Sequence, residues 1–170
     1  GGHDMERLEA RYVWTEDFAV GTGELLVAWD DQRTGTATRR VRWLRSSVEG
    51  EMLGVDEGCA ALADGCPTSV VTDDDLDDQR LGDLATFHDG GFVVVWDDNS
   101  DDVAGLEVKA RTFEMDDEPT TDVVDVNHES VGDQYTPGVA VLMNDEWVTA
   151  FVDGSHQVWT RHYERDGTSV

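Results

Sequence analysis

Along this chain short apolar runs alternate with polar turns, and three such arrangements are near copies. They are Phe18-Ala-Val-Gly-Thr-Gly-Glu-Leu-Leu-Val-Ala-Trp29, Leu84-Ala-Thr-Phe-His-Asp-Gly-Gly-Phe-Val-Val-Val-Trp96 and Val139-Ala-Val-Leu-Met-Asn-Asp-Glu-Trp-Val-Thr-Ala-Phe151. Each has an apolar run, a polar or glycine-bearing turn, and a second apolar run closed by an aromatic residue. Each predicts a β-hairpin. The closing residues Trp29, Trp96 and Phe151 stand 67 and 55 positions apart. A lone hairpin is marginal in water, so repeated copies predict modules that bury their apolar faces against one another.

A further strand recurs behind each hairpin. Thr38–Leu44, Leu106–Phe113 and Gln157–Tyr163 alternate apolar and polar residues, the pattern of a strand with one wet face. In this reading Arg42-Trp43-Leu44, Arg111-Thr112-Phe113 and Arg161-His162-Tyr163 are matching positions. Arg11-Tyr12-Val13 reads as another copy of this element without a hairpin in front of it. Thr68–Thr72 and Thr121–Val126 are short β-rich links leading to the turns Asp78-Gln-Arg-Leu-Gly82 and Asp133-Gln-Tyr-Thr-Pro137. Residues 46–67 carry extra length between the first two copies, where a loop accommodates an insertion. No sustained helical period is present, although Ala60–Ala63 has room for one turn.

Four-stranded modules of roughly 40–55 residues with an inward aromatic predict an all-β, propeller-like array. The expectation is one domain over 1–170 with about three repeats, near 18–67, 82–126 and 137–170, and an N-terminal partial repeat at 5–14. Three modules are fewer than the roughly 4–8 blades that close a ring. Either the leading strand completes a broken last blade, or the chain is part of a larger ring, or an assembly of copies closes it. A β-sandwich built from the same strands is the competing fold.

Composition narrows the partners. Twelve basic against 38 acidic residues give a formal net charge of −26. That field repels phosphate backbones and anionic lipid heads, which argues against nucleic-acid and membrane-surface binding. It attracts cations, and it equally describes a solvated acidic surface. No run reaches the ~18–20 apolar residues of a membrane span. The opening Gly1-Gly2-His3-Asp4-Met5 lacks the n-region and h-region of a signal peptide, so a leader is expected to be absent or already removed. Cys59 and Cys66 enclose six residues beside Gly65 and Pro67, a spacing that suits a small disulfide loop and hence an extracytoplasmic location. A pair of free thiols is the alternative, while zinc lacks companion ligands.

The stretches Asp89-Gly-Gly-Phe-Val-Val-Val-Trp96, Val108-Lys-Ala-Arg-Thr-Phe113, Val124-Asp-Val-Asn127 and Gly132-Asp-Gln-Tyr-Thr-Pro-Gly-Val-Ala140 resemble the extracellular repeats of large bacterial adhesin and haemolysin-type surface proteins. The likeness covers 82–152 well and 18–44 more loosely. It implies secretion or cell-surface display and a propeller-like or stacked-β repeat. It carries over no catalytic residue.

Candidate chemistry is sparse. Asp97, Asn99 and Asp101, within Asp97–Asp102, place oxygen ligands at alternate positions, as the start of a Ca2+ loop does. The glycine and glutamate of an EF-hand are missing, and a solvated acidic turn explains the same residues. Asp73–Asp78 has the same ambiguity. The five histidines show no metal spacing, and no nucleophile elbow, P-loop or dinucleotide fingerprint is present. Of six tryptophans, Trp29 and Trp96 read as core anchors. Trp43 and Trp159 lie on alternating strands, where a ring either stacks on a sugar or packs against a neighbouring module. The functional expectation is a secreted, non-enzymatic binding or adhesion module for a glycan or cell-surface protein, as a homo-oligomer or part of a larger chain. A hydrolase with an acidic pocket and a structural spacer are the alternatives.

Overall fold

The computed structural model describes residues 3–13, 24–33, 38–47, 52–53, 69–71, 78–99, 105–127 and 132–170. Over these residues the fold is all-β, with three antiparallel sheets. The first contains β1 (His3–Val13), β2 (Glu24–Arg33), β3 (Arg39–Ser47), β4 (Met52–Leu53) and β5 (Ser69–Val70). The central sheet is β6 (Gln79–Thr86), β7 (Phe92–Asp98), β8 (Glu107–Phe113) and β9 (Val124–Asp125), in that order. The last is β10 (Gln134–Val141), β11 (Trp147–Asp153) and β12 (Val158–Tyr163), extended by a bridge from Tyr163 to Ser169. Among the described residues no helix is long and apolar enough to cross a membrane.

The sheets are layered, with the central one between the other two. Every residue of β7 is buried. Its Phe92, Val94 and Trp96 join Leu26, Ala28, Val41 and Trp43 of the first sheet in one core. The alternate residues Val93 and Val95, with Val108 and Ala110, meet Trp147, Phe151 and Tyr163 of the last sheet in a second core. A strand wet on neither face has no reason to alternate, which is why Phe92–Trp96 reads as an unbroken apolar run. Face-to-face layering of antiparallel sheets fits the sandwich alternative.

Both interfaces have the same sense. Phe92 and Trp96 of β7 correspond to Trp147 and Phe151 of β11, and each pair faces the preceding sheet. Leu26 and Ala28 of β2 correspond to Val93 and Val95 of β7, and each pair faces the following one. In β2, β7 and β11 the closing aromatic therefore lies on the back and aliphatic residues lie on the front, and backs lie on fronts, with Trp43 of β3 added to the first sheet's front.

The first strands lean on one another through bulges. Pairing slips between Leu81 and Asp83 in β6 and between Tyr135 and Gly138 in β10. A bulge breaks the regular ladder, and carboxylates from the preceding sheets serve the neighbouring amides. The Leu81 N–H donates to Asp30 at 3.0 Å, and the Val139 N–H to Asp83 at 3.2 Å. A Cβ at Gly82 would stand 2.4 Å from Pro137 Cγ and 2.9 Å from the Val95 carbonyl, so only glycine permits this approach.

Three expectations change in detail. The strand paired with β2 on its N-terminal side is β1, Tyr12 opposite Leu25, and the Phe18–Gly23 part of the expected hairpin lies outside the described residues. The N-terminal partial repeat is thus the first strand of the first sheet. Residue Leu44, not Arg42, lies opposite Val27, the position that Arg111 holds opposite Val94 and Arg161 opposite Thr149. A two-residue slip keeps every side chain on its face, so alternation alone does not detect it. Finally, β4 and β5 both pair with β3, and β4 lies within the 46–67 stretch read as extra length. Cys59, Cys66, Asp101, Ala60–Ala63 and the run Asp73–Asp77 lie outside the described residues.

Candidate functional site

The turns at one end of the central and last sheets form a densely cross-linked polar region among the described residues. Two of them join hairpins. Phe87 and Leu142 each accept an N–H from three residues on and donate to a carbonyl four residues on, closing 87–91 and 142–146. The remaining two follow β8 and β12 and repeat the same bonds through Glu114 and Glu164. A left-handed residue is required in each, supplied by Gly90, Asp145, Asp117 and Gly167 at φ of 93°, 59°, 71° and 79°. Aspartate tolerates this region better than most side chains, which explains two carboxylates at the turn corners.

Two arginines grip this end from opposite sides. Arg45 of β3 is buried, donating to the Gly90 carbonyl at 2.7 Å and to Asp117 at 2.6 Å, with Glu24 at 3.3 Å. Its guanidinium carbon lies 5.5 Å from the centre of the Phe92 ring. Arg165, in the turn after β12, contacts Asp89 at 2.7 Å and Glu114 at 2.6 Å, and stands 4.7 Å over the Phe87 ring. Both arginines therefore tie the 87–91 turn to the 113–119 turn. His88 adds a third link: its N–H and its Nδ1 reach Asp145 at 3.0 and 2.8 Å.

The local field follows from these contacts. Partial burial raises the Asp89 carboxyl, but the Arg165 hydrogen bond, the Gly91 N–H and the Arg165 charge together outweigh it, so Asp89 titrates below its ordinary 3.8. Desolvation pulls Arg165 down, and the bond to Asp89 with the charges of Asp89 and Glu114 more than reverses this. Asp117 differs: burial lifts it above the ordinary value despite its short bond to Arg45. The paired charges fix turn positions. Around them the tips of Met115 and Met143 are exposed, Met143 at 94%. Glu114, Met115 and Asp116 line an open depression.

The residues singled out by sequence lie elsewhere. Trp43 is 3% exposed and packs on Phe92 and Phe113 with ring centres 4.8 and 5.7 Å away. Its ring is core, which corrects the sugar-stacking reading. Trp159 is half-buried against the second core and donates its indole N–H to Asp153 at 2.8 Å. That bond, first among several, holds Asp153 below the ordinary carboxylate value. The two rings serve different interfaces, Trp43 the first core and Trp159 the edge of the second.

Asp97 ends within β7 and is buried, while the Asn99 carbonyl oxygen accepts the Asp78 N–H at 2.6 Å. Asp78 in turn meets Arg39 and Arg80. Asn99 thus closes the entry to β6. Among the described residues no three His, Cys, Asp or Glu side chains are grouped to hold a metal ion. Sequence reading passed over Arg45, Arg165 and the turn acids. The signal for them was the parallel between Phe113-Glu-Met-Asp-Asp and Tyr163-Glu-Arg-Asp-Gly, in which Arg165 replaces Met115. Comparison with protein-family models, curated proteins and solved structures returned no match.

Proposed function

We propose that the chain is a secreted, non-enzymatic binding module of a bacterial surface protein, with its sheets arranged as blades of a propeller-like ring. The observation that carries the reading is the twice-repeated contact of an aromatic-bearing back on the front of the preceding sheet. Such head-to-tail layering is how blades pack about a common axis, and each sheet here runs as a meander from its first strand outward. The rigid turn end is the binding surface. Arg45 and Arg165 hold its geometry, so little ordering entropy is lost on contact.

The partner class follows from charge and shape. Trp43 is committed to packing and Trp159 is half-buried and tied to Asp153, which leaves the glycan reading without a pair of open rings. Acidic turn residues Asp89, Glu114, Asp116, Glu118 and Asp145 around exposed methionines fit a protein surface bearing lysine and arginine. Attraction across such a surface speeds encounter and weakens with salt. The test is attachment of beads coated with the chain to cells, before and after protease or glycosidase treatment. Attachment lost with protease, kept with glycosidase and reduced by salt is the expected result. Loss with glycosidase alone would return the reading to a lectin, and no attachment would favour a structural spacer.

A further inference from the structure

Val108 and Val158 occupy the same position in successive sheets. Val108 lies opposite Asp97 in the central sheet, and Val158 lies opposite Val152, the counterpart of Asp97, in the last. Val108 is fully buried beneath the last sheet, whereas Val158 is 70% exposed. The comparison extends across the face. Val93 and Val95 are buried at 0%, while their counterparts Val148 and Ala150 are only half-buried, and Ala140 beside them is exposed. A sheet face meant for water carries mostly polar residues. At Ala140, Val148, Ala150 and Val158 this front keeps small apolar residues where a following sheet covers the central one, with Thr160 and His162 opposite Ala150 and Val148. Among the described residues no fourth sheet stands over it.

The first sheet presents the complementary side. Its back holds Leu25, Val27 and Trp29 where the central sheet has Phe92, Val94 and Trp96, with Leu44 opposite Val27. Leu25, Val27 and Leu44 are half-buried on this back, Arg42 lies opposite Trp29, and Trp29 itself is 3% exposed. One chain therefore carries an uncovered front and, at its other end, a back of the kind that covers fronts twice within the molecule.

We propose that the front of the last sheet docks on the back of the first sheet of a second copy of this chain. The contact continues the two existing interfaces in the same sense. It is heterologous, so it either closes into a ring or propagates. Two chains with three sheets each supply six, inside the roughly 4–8 blades that close a propeller. A closed pair sets each copy's front on the other's back and ends growth. The proposal rests on the propeller-like arrangement of the preceding section and names the occupant of its open side.

The test is molecular mass by light scattering on the full chain at micromolar concentration. The wild type is expected at about twice the 18.8 kDa chain mass. Val158→Lys on the front and Val27→Lys on the back should each halve it, with thermal melts showing that both remain folded. Leu44→Gln serves for the back if Val27→Lys does not fold. A monomeric wild type at every concentration overturns the proposal. So does a dimer that survives Val158→Lys. A dimer lost with the front variant but kept with the back variant marks front-to-front pairing, which also overturns it. Bead attachment separates this outcome from the binding reading, because the turns lie at the ends of the sheets, away from Val158. A monomer that still attaches to cells removes the docking and leaves the binding role standing.

Discussion

Arg165 sets its guanidinium against Asp89 at 2.7 Å, tying the last turn of the chain to the central sheet's hairpin. Arg45 reaches the same hairpin from the first sheet through the Gly90 carbonyl. Their settings differ, since the Arg45 side chain is 5% exposed and that of Arg165 is 25% exposed. Removing Arg45 leaves a buried carbonyl and the Asp117 carboxylate without their donor. Arg45→Ala should lower unfolding free energy by about 2–3 kcal/mol. Arg165→Ala, in a wetter pair with a half-exposed Asp89, should cost about 0.5–1 kcal/mol. Urea denaturation of the two variants measures both, and equal costs would contradict the burial argument.

The same pair gives a pH dependence. Asp89 is held below 3.8 in the folded protein, so the folded state binds its proton less readily than the unfolded chain. Its contribution is fully present above the unfolded value and is lost as pH falls through the lower folded value. Asp89→Asn should therefore be less stable than wild type near pH 6, with the gap closing below about pH 3. The readout is the difference in Tm between the two proteins across pH. Using the difference cancels the general relief of charge repulsion that acid brings to both.

Gly82 lies where β6 and β10 touch. Gly82→Ala puts a methyl group against the Pro137 ring and two backbone carbonyls, none of them a flexible chain end. A loss of about 1–3 kcal/mol is expected from overpacking. Gly167→Ala meets Val124 and Thr121 and must also hold φ at 79°, so it should destabilise as well. Denaturant midpoints test both, and an unchanged midpoint for Gly82→Ala would mean that the strands sit farther apart.

A net charge of −26 makes the fold repel itself, and added salt screens that repulsion. Tm should rise steadily with NaCl. At fixed ionic strength, a further saturable rise with Ca2+ that Asp101→Asn removes is the signature of cation binding in the run Asp97–Asp102. A Ca2+ curve that superimposes on the NaCl curve reports screening alone.

Much of the fold was legible because strand alternation and turn residues are local signals. The closing aromatics Trp29, Trp96 and Phe151 do hold equivalent places in β2, β7 and β11. The slip of β3 was invisible, since moving two residues leaves Trp43 on the face it would have anyway. Trp43 itself was ambiguous because a strand residue facing a second sheet and one facing water share the same spacing. The turn-end arginines were harder still. Arg45 and Asp117 are 72 residues apart and meet only once two sheets are layered. Ion pairs across layers leave no periodic trace in the chain.

Alternate valines of β7 report the layering itself. With methyl-labelled valine, nuclear Overhauser contacts should connect Val94 to the Trp43 side and Val93 and Val95 to the Trp147 and Phe151 rings. That split, within one strand, is the predicted result. Contacts from all three valines to the same neighbouring sheet would contradict a central sheet with one repeat packed on each face.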